Sequence, residues 1–185
     1  MTLAITDLDQ FKTTPLLAGY ADSMRTFYSP EDNVHDALKA VIGSCTSTIQ
    51  VAMFGFDDDE LAAMLDDLLK NPAIYVQITL DRSQAGGVHE KAILEKFSHE
   101  FTGNSVAIGQ SEKHQIMHRK MVVVDGTWRI SGSTNWSTSG ESLQDNELTV
   151  LLDNVACVEA RRVLDLEHTD ALKQMAARAA KAGTT

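Results

Sequence analysis

The first half of the chain alternates between apolar patterns of helical and of strand spacing. Apolar residues recur every three or four positions over residues 34–42, which predicts a helix with Asn33 as its N-cap. Segment 48–56 is short, apolar and rich in β-formers, as expected of a buried strand. Helical spacing returns over residues 61–69, and Asp57 is positioned to cap that helix.

The second half continues with strand patterns and ends in helical spacing. Strands are expected over residues 74–80, 105–108, 121–124, 128–130 and 148–152. The pair Asp125-Gly126 favours a tight turn, so the two strands beside it should form a hairpin. A glycine pair opens a predicted helix over residues 88–97, and residues 155–180 predict one long helix or two.

Strands that alternate with helices predict crossover connections and a parallel sheet, whereas the hairpin adds antiparallel pairing. We therefore expect an α/β fold in which a mixed, mostly parallel sheet is sandwiched between helices. The start of the chain lacks clear periodicity, so residues 1–27 are expected to form an arm or short helix. Residues 28–185 should form a single domain, a size that 185 residues allow.

Charge changes this picture only locally. The formal net charge is -10, which argues against a surface built as a whole to bind nucleic acid. From Glu112 to Arg129, however, the chain contains four basic residues and only two acidic ones. These four are Lys113, Arg119, Lys120 and Arg129. A local basic site on an acidic body is therefore compatible with the composition.

The remaining composition predicts a soluble, cytoplasmic protein. Cys45 and Cys157 have no metal-binding spacing and do not form a disulfide framework, so free thiols are expected. The N-terminus lacks the basic and apolar segments of a secretory signal. No apolar run approaches the ~20 residues of a membrane helix, so no stable membrane association is expected.

One stretch combines residues suited to phosphoryl chemistry. It has the pattern H-x-K-x4-D-x6-G-S-x-N, formed by His118, Lys120, Asp125, Gly132, Ser133 and Asn135. A strand places residues i and i+2 on one face, so His118 and Lys120 can share a site. A neutral imidazole can attack phosphorus, and an ammonium stabilises the anionic phosphoryl group. Ser133 and Asn135 add hydrogen-bond donors, and this chemistry needs no metal ion or other cofactor.

This pattern resembles the HKD motif of the phospholipase D superfamily. The resemblance extends over most of the chain, from Tyr28-Ser29-Pro30 through the strand that ends near Phe54 and the segment 80–84 to Asn146-Glu147 and the final helix. Within the superfamily, the chain is similar to small, single-motif endonucleases of the bacterial Nuc type. The resemblance implies a phospholipase D-like catalytic domain, a phosphohistidine intermediate on His118, and a role for Glu147 in holding the imidazole in a useful tautomer.

The single motif has a consequence for assembly. The family uses two motif copies, because the leaving oxygen needs a general acid while one histidine acts as nucleophile. This chain carries one copy, which implies a homodimer whose active site lies at the two-fold interface. The expected function is a metal-independent phosphodiesterase, an endonuclease acting on DNA or RNA. Two alternatives remain: a phospholipase D or phosphatidyl transferase acting on lipid head groups, and a catalytically silent nucleic-acid-binding dimer.

Several motif residues also have structural interpretations. Asp125 precedes a glycine and is expected to organise the hairpin rather than to touch phosphate. Ser133 and Asn135 are also ordinary turn residues, and Glu147 suits a solvated strand position equally well.

Metal sites are not expected. His114 and His118 lie four apart but outside a predicted helix and without a third ligand. The acidic run 57–60 lacks the alternating ligands and central glycine of a calcium loop. His35 and His168 show no functional signal in the sequence.

Overall fold

The computed structural model of the protein describes residues 3–85, 92, 94, 95, 97 and 105–183. Its elements, in chain order, are a 3-10 helix (Ile5–Phe11), β1 (Met24–Ser29), α1 (Val34–Gly43), β2 (Thr48–Met53), α2 (Asp59–Lys70), β3 (Tyr75–Asp81), β4 (Val106–Gly109), β5 (Lys120–Val124), β6 (Trp128–Gly132), α3 (Thr138–Ser142), β7 (Asn146–Leu152) and α4 (Asn154–Ala182). The predicted helix over residues 88–97 lies largely outside the described residues.

All seven described strands form one sheet with the order β1-β7-β6-β5-β2-β3-β4. β2 pairs in parallel with β3, and β3 with β4, as the crossover pattern predicts. β5 and β6 form the predicted hairpin, and β5 also pairs antiparallel with β2 at the centre of the sheet. The expected mixed sheet between helices is confirmed.

The expectation that the sheet is mostly parallel holds for strand direction but not for strand pairing. Five of the seven described strands run one way, yet four of the six neighbouring pairs are antiparallel. The reason is that β5 and β7, which run the other way, are inserted among strands of the first direction. The hairpin and the β6–β7 connection therefore give rise to the antiparallel part of the sheet.

The two faces of the sheet are covered by different helices. The larger core packs Val41 of α1 and Leu65 of α2 against apolar side chains of the strands, including Val51 and Ile130. On the other face, Cys157, Ala160 and Leu164 of α4 pack against β2 and β5. α4 packs chiefly against β3 and β4 and extends as far as β6. No helix in the described ranges has both the length and the apolar content to cross a bilayer.

The N-terminal part of the chain is integrated into this core. The short helix buries Ile5 and Leu8, and β1 starts at Met24, so the boundary suggested between residues 27 and 28 falls inside a strand. Asn33 caps α1 as predicted, since its side chain accepts a hydrogen bond from the Asp36 amide.

The cap predicted for α2 is displaced by one residue. Asp58, rather than Asp57, accepts a hydrogen bond from the Leu61 amide at 2.7 Å. Both residues are aspartates, so residue type alone does not distinguish the two positions.

Candidate active site

β5 positions the first two motif residues at the centre of the sheet. Lys120 is its first residue, and His118 precedes it by two positions on the same side of an extended segment. The Phe54 amide donates to the Arg119 carbonyl at 2.9 Å, which continues the pairing with β2 beyond the end of the strand. His118 and Lys120 are therefore attached to backbone that is hydrogen-bonded to a neighbouring segment.

Lys120 is a buried cation to which the described residues offer no carboxylate partner. The residue is 6% exposed, and among the described residues no carboxylate lies within ion-pair distance of Nζ. Nζ lies 4.7 Å from the centre of the Phe54 ring and 3.4 Å from the His118 carbonyl oxygen. Burial lowers the pKa of Lys120 from its usual 10.5. An unpaired buried charge is unfavourable, so this position is suited to receive an anion.

His118 is exposed beside this charge. Its ring contacts Phe54 edge-on, with the centroids 4.6 Å apart, and makes no hydrogen bond in the described part of the chain. Phe54 therefore supports both groups, although the sequence pattern did not identify it as a site residue. The available signal was an aromatic residue at the end of a buried strand, which is more often part of the core.

The segment after β6 approaches β7 closely. A Cβ at position 132 would overlap the Glu147 carbonyl oxygen, so only Gly132 fits. The Ser133 hydroxyl donates to Asn146 Oδ1 at 2.9 Å and accepts from the Glu147 amide at 3.0 Å. In this arrangement Ser133 holds the two segments together, and it donates to a phosphate oxygen only if it releases Asn146.

Asn135 is placed differently, with a donor available. Its Oδ1 accepts from the Gly55 amide at 3.3 Å, whereas Nδ2 has no partner among the described residues. A Cβ at position 55 would lie 3.1 Å from the Asn135 side chain, so Gly55 allows this close contact. The amide group of Asn135 is thus fixed through its oxygen and can donate through its nitrogen.

Glu147 does not hydrogen-bond to His118 of its own chain in the described structure. It lies on β7, is exposed, and accepts from the Thr149 hydroxyl at 3.3 Å. Its register partner is Tyr28 of β1, which is 50% exposed, and α4 packs on other strands. This part of the sheet therefore leaves Glu147 open to the surroundings.

Asp125 lies at the opposite end of β5 from the other motif residues. It has a positive φ of 52° in the hairpin turn. Its carboxylate accepts hydrogen bonds from three successive backbone amides, those of Thr46, Ser47 and Thr48, at 2.8–2.9 Å, as well as from two hydroxyls. These bonds lower the pKa of Asp125 to about 2 despite partial burial. The geometry supports the structural role for Asp125, namely fixing the loop before β2 against the hairpin.

Asp125→Asn is expected to reduce the free energy of unfolding by about 1–2 kcal/mol at pH 7, because donors that faced a charged carboxylate face a neutral amide. The stabilisation is present above the ordinary pKa of 3.8 and is lost as the pH falls towards 2, so the difference from wild type should shrink over that range. Urea unfolding at several pH values measures the difference. A loss that is constant from pH 7 to pH 2.5 would contradict this role.

The basic stretch predicted around the motif is partly neutralised. Two guanidinium nitrogens of Arg119 donate hydrogen bonds to the Glu167 carboxylate of α4 at 2.5–3.0 Å. A groove of about 780 Å³ runs from His118 along α4, and its wall includes the exposed apolar residues Ile116 and Leu166. The surroundings of His118 are therefore more apolar and less positive than the sequence suggests.

Comparison with known proteins places these residues in a family. The family described as cardiolipin synthase, PLD-like domain matches residues 38–165. The mitochondrial cardiolipin hydrolase of Chlamydomonas reinhardtii is 27% identical over 112 residues, which cover 60% of this chain and 47% of that protein. The chain thus spans less than half of this relative.

Solved structures show the same fold at lower sequence identity. Nuc from Salmonella typhimurium, a phospholipase D family member, has a TM-score of 0.68 at 19% identity, covering 82% of this chain and 95% of Nuc. NucT from Helicobacter pylori has a TM-score of 0.65 at 20% identity, covering 81% and 95%. Phosphatidylserine synthase of Haemophilus influenzae has a TM-score of 0.60 at 13% identity, covering 88% and 44%.

The resemblance suggested by the motif is thereby confirmed. The matched family segment contains His118, Lys120 and the loop that carries Ser133 and Asn135, together with the central strands that position them. The chain belongs to the phospholipase D-like domain family.

Proposed function

We propose that this protein hydrolyses phosphodiester bonds, acting as an endonuclease through a covalent phosphohistidine intermediate. The observation that carries this proposal is the buried Lys120, which forms no ion pair with the described residues and lies next to an exposed imidazole. A phosphodiester bound there supplies the missing negative charge, and its phosphorus comes within reach of His118. Lys120 is fixed before substrate arrives, so it needs no reorganisation when charge develops in the transition state.

In the first step a neutral nitrogen of His118 attacks phosphorus, and the bond from phosphorus to the leaving oxygen breaks. The product is an alcohol and a phosphoryl group on the imidazole, provided that a general acid protonates the leaving oxygen. In the second step water attacks the phosphohistidine, loses its proton to the same group, and frees the imidazole. Asn135 Nδ2 donates to a phosphoryl oxygen during both steps.

A second copy of the chain supplies the general acid in this proposal. Within one chain, His118 is the one histidine among the described residues that line the groove, and Glu147 makes its described side-chain contact with Thr149. A two-fold dimer would bring His118 of the partner subunit to the opposite side of the substrate. The open face around Tyr28 and Glu147 then becomes available for the interface, with Glu147 orienting the imidazole across it.

Mixed dimers test this arrangement. If each site needs both copies of His118, a dimer of wild type and His118→Asn is inactive, and activity falls with the square of the wild-type fraction. An equimolar mixture, co-refolded to exchange subunits, should retain about one quarter of the wild-type activity per total protein. His114→Asn, a change at an exposed position outside the motif, is the matched control and should leave activity unchanged. Retention of one half would show that each chain acts alone.

Hydrolysis of a phospholipid head group is the second candidate. It is favoured by the groove beside His118, where Ile116 is 51% and Leu166 is 64% exposed, because acyl chains bind apolar walls. The Chlamydomonas relative is named as a cardiolipin hydrolase, which also favours a lipid substrate. The chemistry at His118 would be unchanged.

A substrate panel in excess EDTA separates the two candidates. The purified protein is incubated with single-stranded DNA, RNA, or cardiolipin vesicles, and release of each product is followed. The nuclease proposal requires oligonucleotide cleavage that persists in EDTA. Turnover of cardiolipin alone would replace it with the lipid function, and no turnover of any substrate would contradict both.

A further inference from the structure

A second cluster of ionisable side chains lies outside the motif. It combines His35 from the first turn of α1, Asp58 at the N-cap of α2, and Glu141 of α3. One potential ligand atom from each residue lies within 4.8 Å of the other two. The cluster lines a pocket of about 430 Å³ whose wall also includes Asp57 and Glu60.

One carboxylate oxygen of this cluster is left unsatisfied by the described part of the chain. Glu141 is 3% exposed, and its Oε1 is buried without a hydrogen-bond partner among the described residues. Its Oε2 lies 2.6 Å from His35 Nδ1, and Asp58 Oδ2 lies 3.2 Å from the same nitrogen. One N–H cannot donate good hydrogen bonds to two carboxylates. The buried cluster therefore has more carboxylate oxygens than hydrogen-bond donors. Such an arrangement is unfavourable unless a proton or a metal cation joins it, and burial raises the pKa of Glu141 to about 7.

The surrounding contacts orient these groups as ligands. Asp58 uses Oδ1 to cap α2, which leaves Oδ2 directed at the cluster. The other ring nitrogen of His35, Nε2, lies 3.4 Å from Glu60 Oε2, and Lys39 holds that glutamate at 2.6 Å. A carboxylate on the distal imidazole nitrogen is the usual support of a metal-binding histidine.

We propose that His35, Asp58 and Glu141 bind one divalent transition-metal ion, best matched by Zn²⁺. An imidazole nitrogen with two carboxylate oxygens suits zinc, whereas all-oxygen sites suit Mg²⁺ and Ca²⁺. Bonds of about 2.0–2.2 Å in tetrahedral geometry separate ligand atoms by about 3.4 Å. The distance from His35 to Asp58 already fits, and the distance from His35 to Glu141 has to open by less than about 1 Å.

The ion would stabilise the framework of the active site without taking part in the chemistry. The Asp57 and Asp58 amides donate to the Trp136 carbonyl at 2.8 and 3.1 Å, and the Trp136 amide donates to the Gly55 carbonyl at 3.0 Å. Gly55 in turn contacts Asn135. Joining α1, α2 and α3 through an ion therefore fixes the two loops that carry Phe54 and Asn135.

Titration of the EDTA-treated, dialysed 185-residue protein with ZnSO₄ tests the site. Calorimetry should give one tight site per chain, and free Zn²⁺ at about 100 times Kd should raise the Tm by about 5–10 °C. Glu141→Gln and His35→Asn should each weaken binding by at least about 100-fold, and two variants guard against a folding defect in one of them. Mg²⁺ should bind far more weakly.

His118→Asn and His114→Asn serve as controls that keep the cluster intact, so both should bind Zn²⁺ like wild type. The proposal is overturned if wild type shows no saturable site, or if binding is lost in His118→Asn and retained in His35→Asn. Because the readout is binding and Tm rather than turnover, the result is independent of the proposed hydrolytic function.

Discussion

His118→Asn is expected to lower phosphodiester turnover by at least about 10³-fold while leaving the fold and its stability unchanged. The variant lacks the attacking nitrogen, and in the proposed dimer it lacks the general acid as well, so both chemical steps fail together. Stability should be retained because the side chain is exposed and makes no hydrogen bond in the described part of the chain. Asparagine keeps a polar group of similar size next to Phe54.

The measurement uses bis-para-nitrophenyl phosphate, which has neither a base nor an acyl chain and so does not depend on the natural substrate. Thermal unfolding of each variant reports the fold, and His114→Asn is the matched histidine control. Wild type, quenched during turnover of a radiolabelled diester, should carry acid-labile label that His118→Asn lacks. Turnover by His118→Asn within tenfold of wild type would end the assignment of the nucleophile.

Lys120→Met is expected to change activity and stability in opposite directions. Loss of the fixed positive charge should reduce kcat by about 10²–10³-fold, the usual effect of removing one electrostatic contact to a transition state. The free energy of unfolding should rise by about 1 kcal/mol, because methionine fills the space of the lysine stem without an unpaired buried charge. Few substitutions at a structural position combine these two effects.

The pH dependence gives a separate check on Lys120. Burial lowers its pKa, so the charged lysine destabilises the folded protein at neutral pH, and this effect is lost as the pH rises towards 10.5. The stability advantage of Lys120→Met over wild type should therefore shrink at alkaline pH. Lys113→Met, at an exposed position, should change neither kcat nor stability. A decrease in stability for Lys120→Met would show that the lysine is satisfied by contacts other than those described.

Local patterns predicted the elements well. The alternation over residues 74–80 and 148–152, the Asp125-Gly126 turn and the Asn33 cap all depend on neighbours in sequence, and the structure confirms each of them. β1 was missed because its sequence, MRTFYS, is short and mixes polar with apolar residues. Its place in the sheet depends on pairing with β7, more than 100 residues away.

The same distinction applies to the site. The spacing of His118 and Lys120 indicated phosphoryl chemistry because a strand brings i and i+2 together. Contacts between distant segments were not visible in the sequence: Phe54 under both groups, Arg119 bound to Glu167, and His35 between two carboxylates. In the sequence, His35 gave no signal, because Asp58 and Glu141 approach it only through the packing of three helices.

The central position of β5 has a consequence for how the protein loses activity on heating. Its backbone amides are bonded to β2 on one side and β6 on the other, so they should exchange with solvent only when the whole sheet opens. Lys120 lies in this strand and His118 lies two residues before it, so neither is carried by a loop that unfolds before the sheet. On heating, each molecule that is still folded should therefore keep its full activity. The phosphodiester turnover of the sample should fall in proportion to its folded fraction.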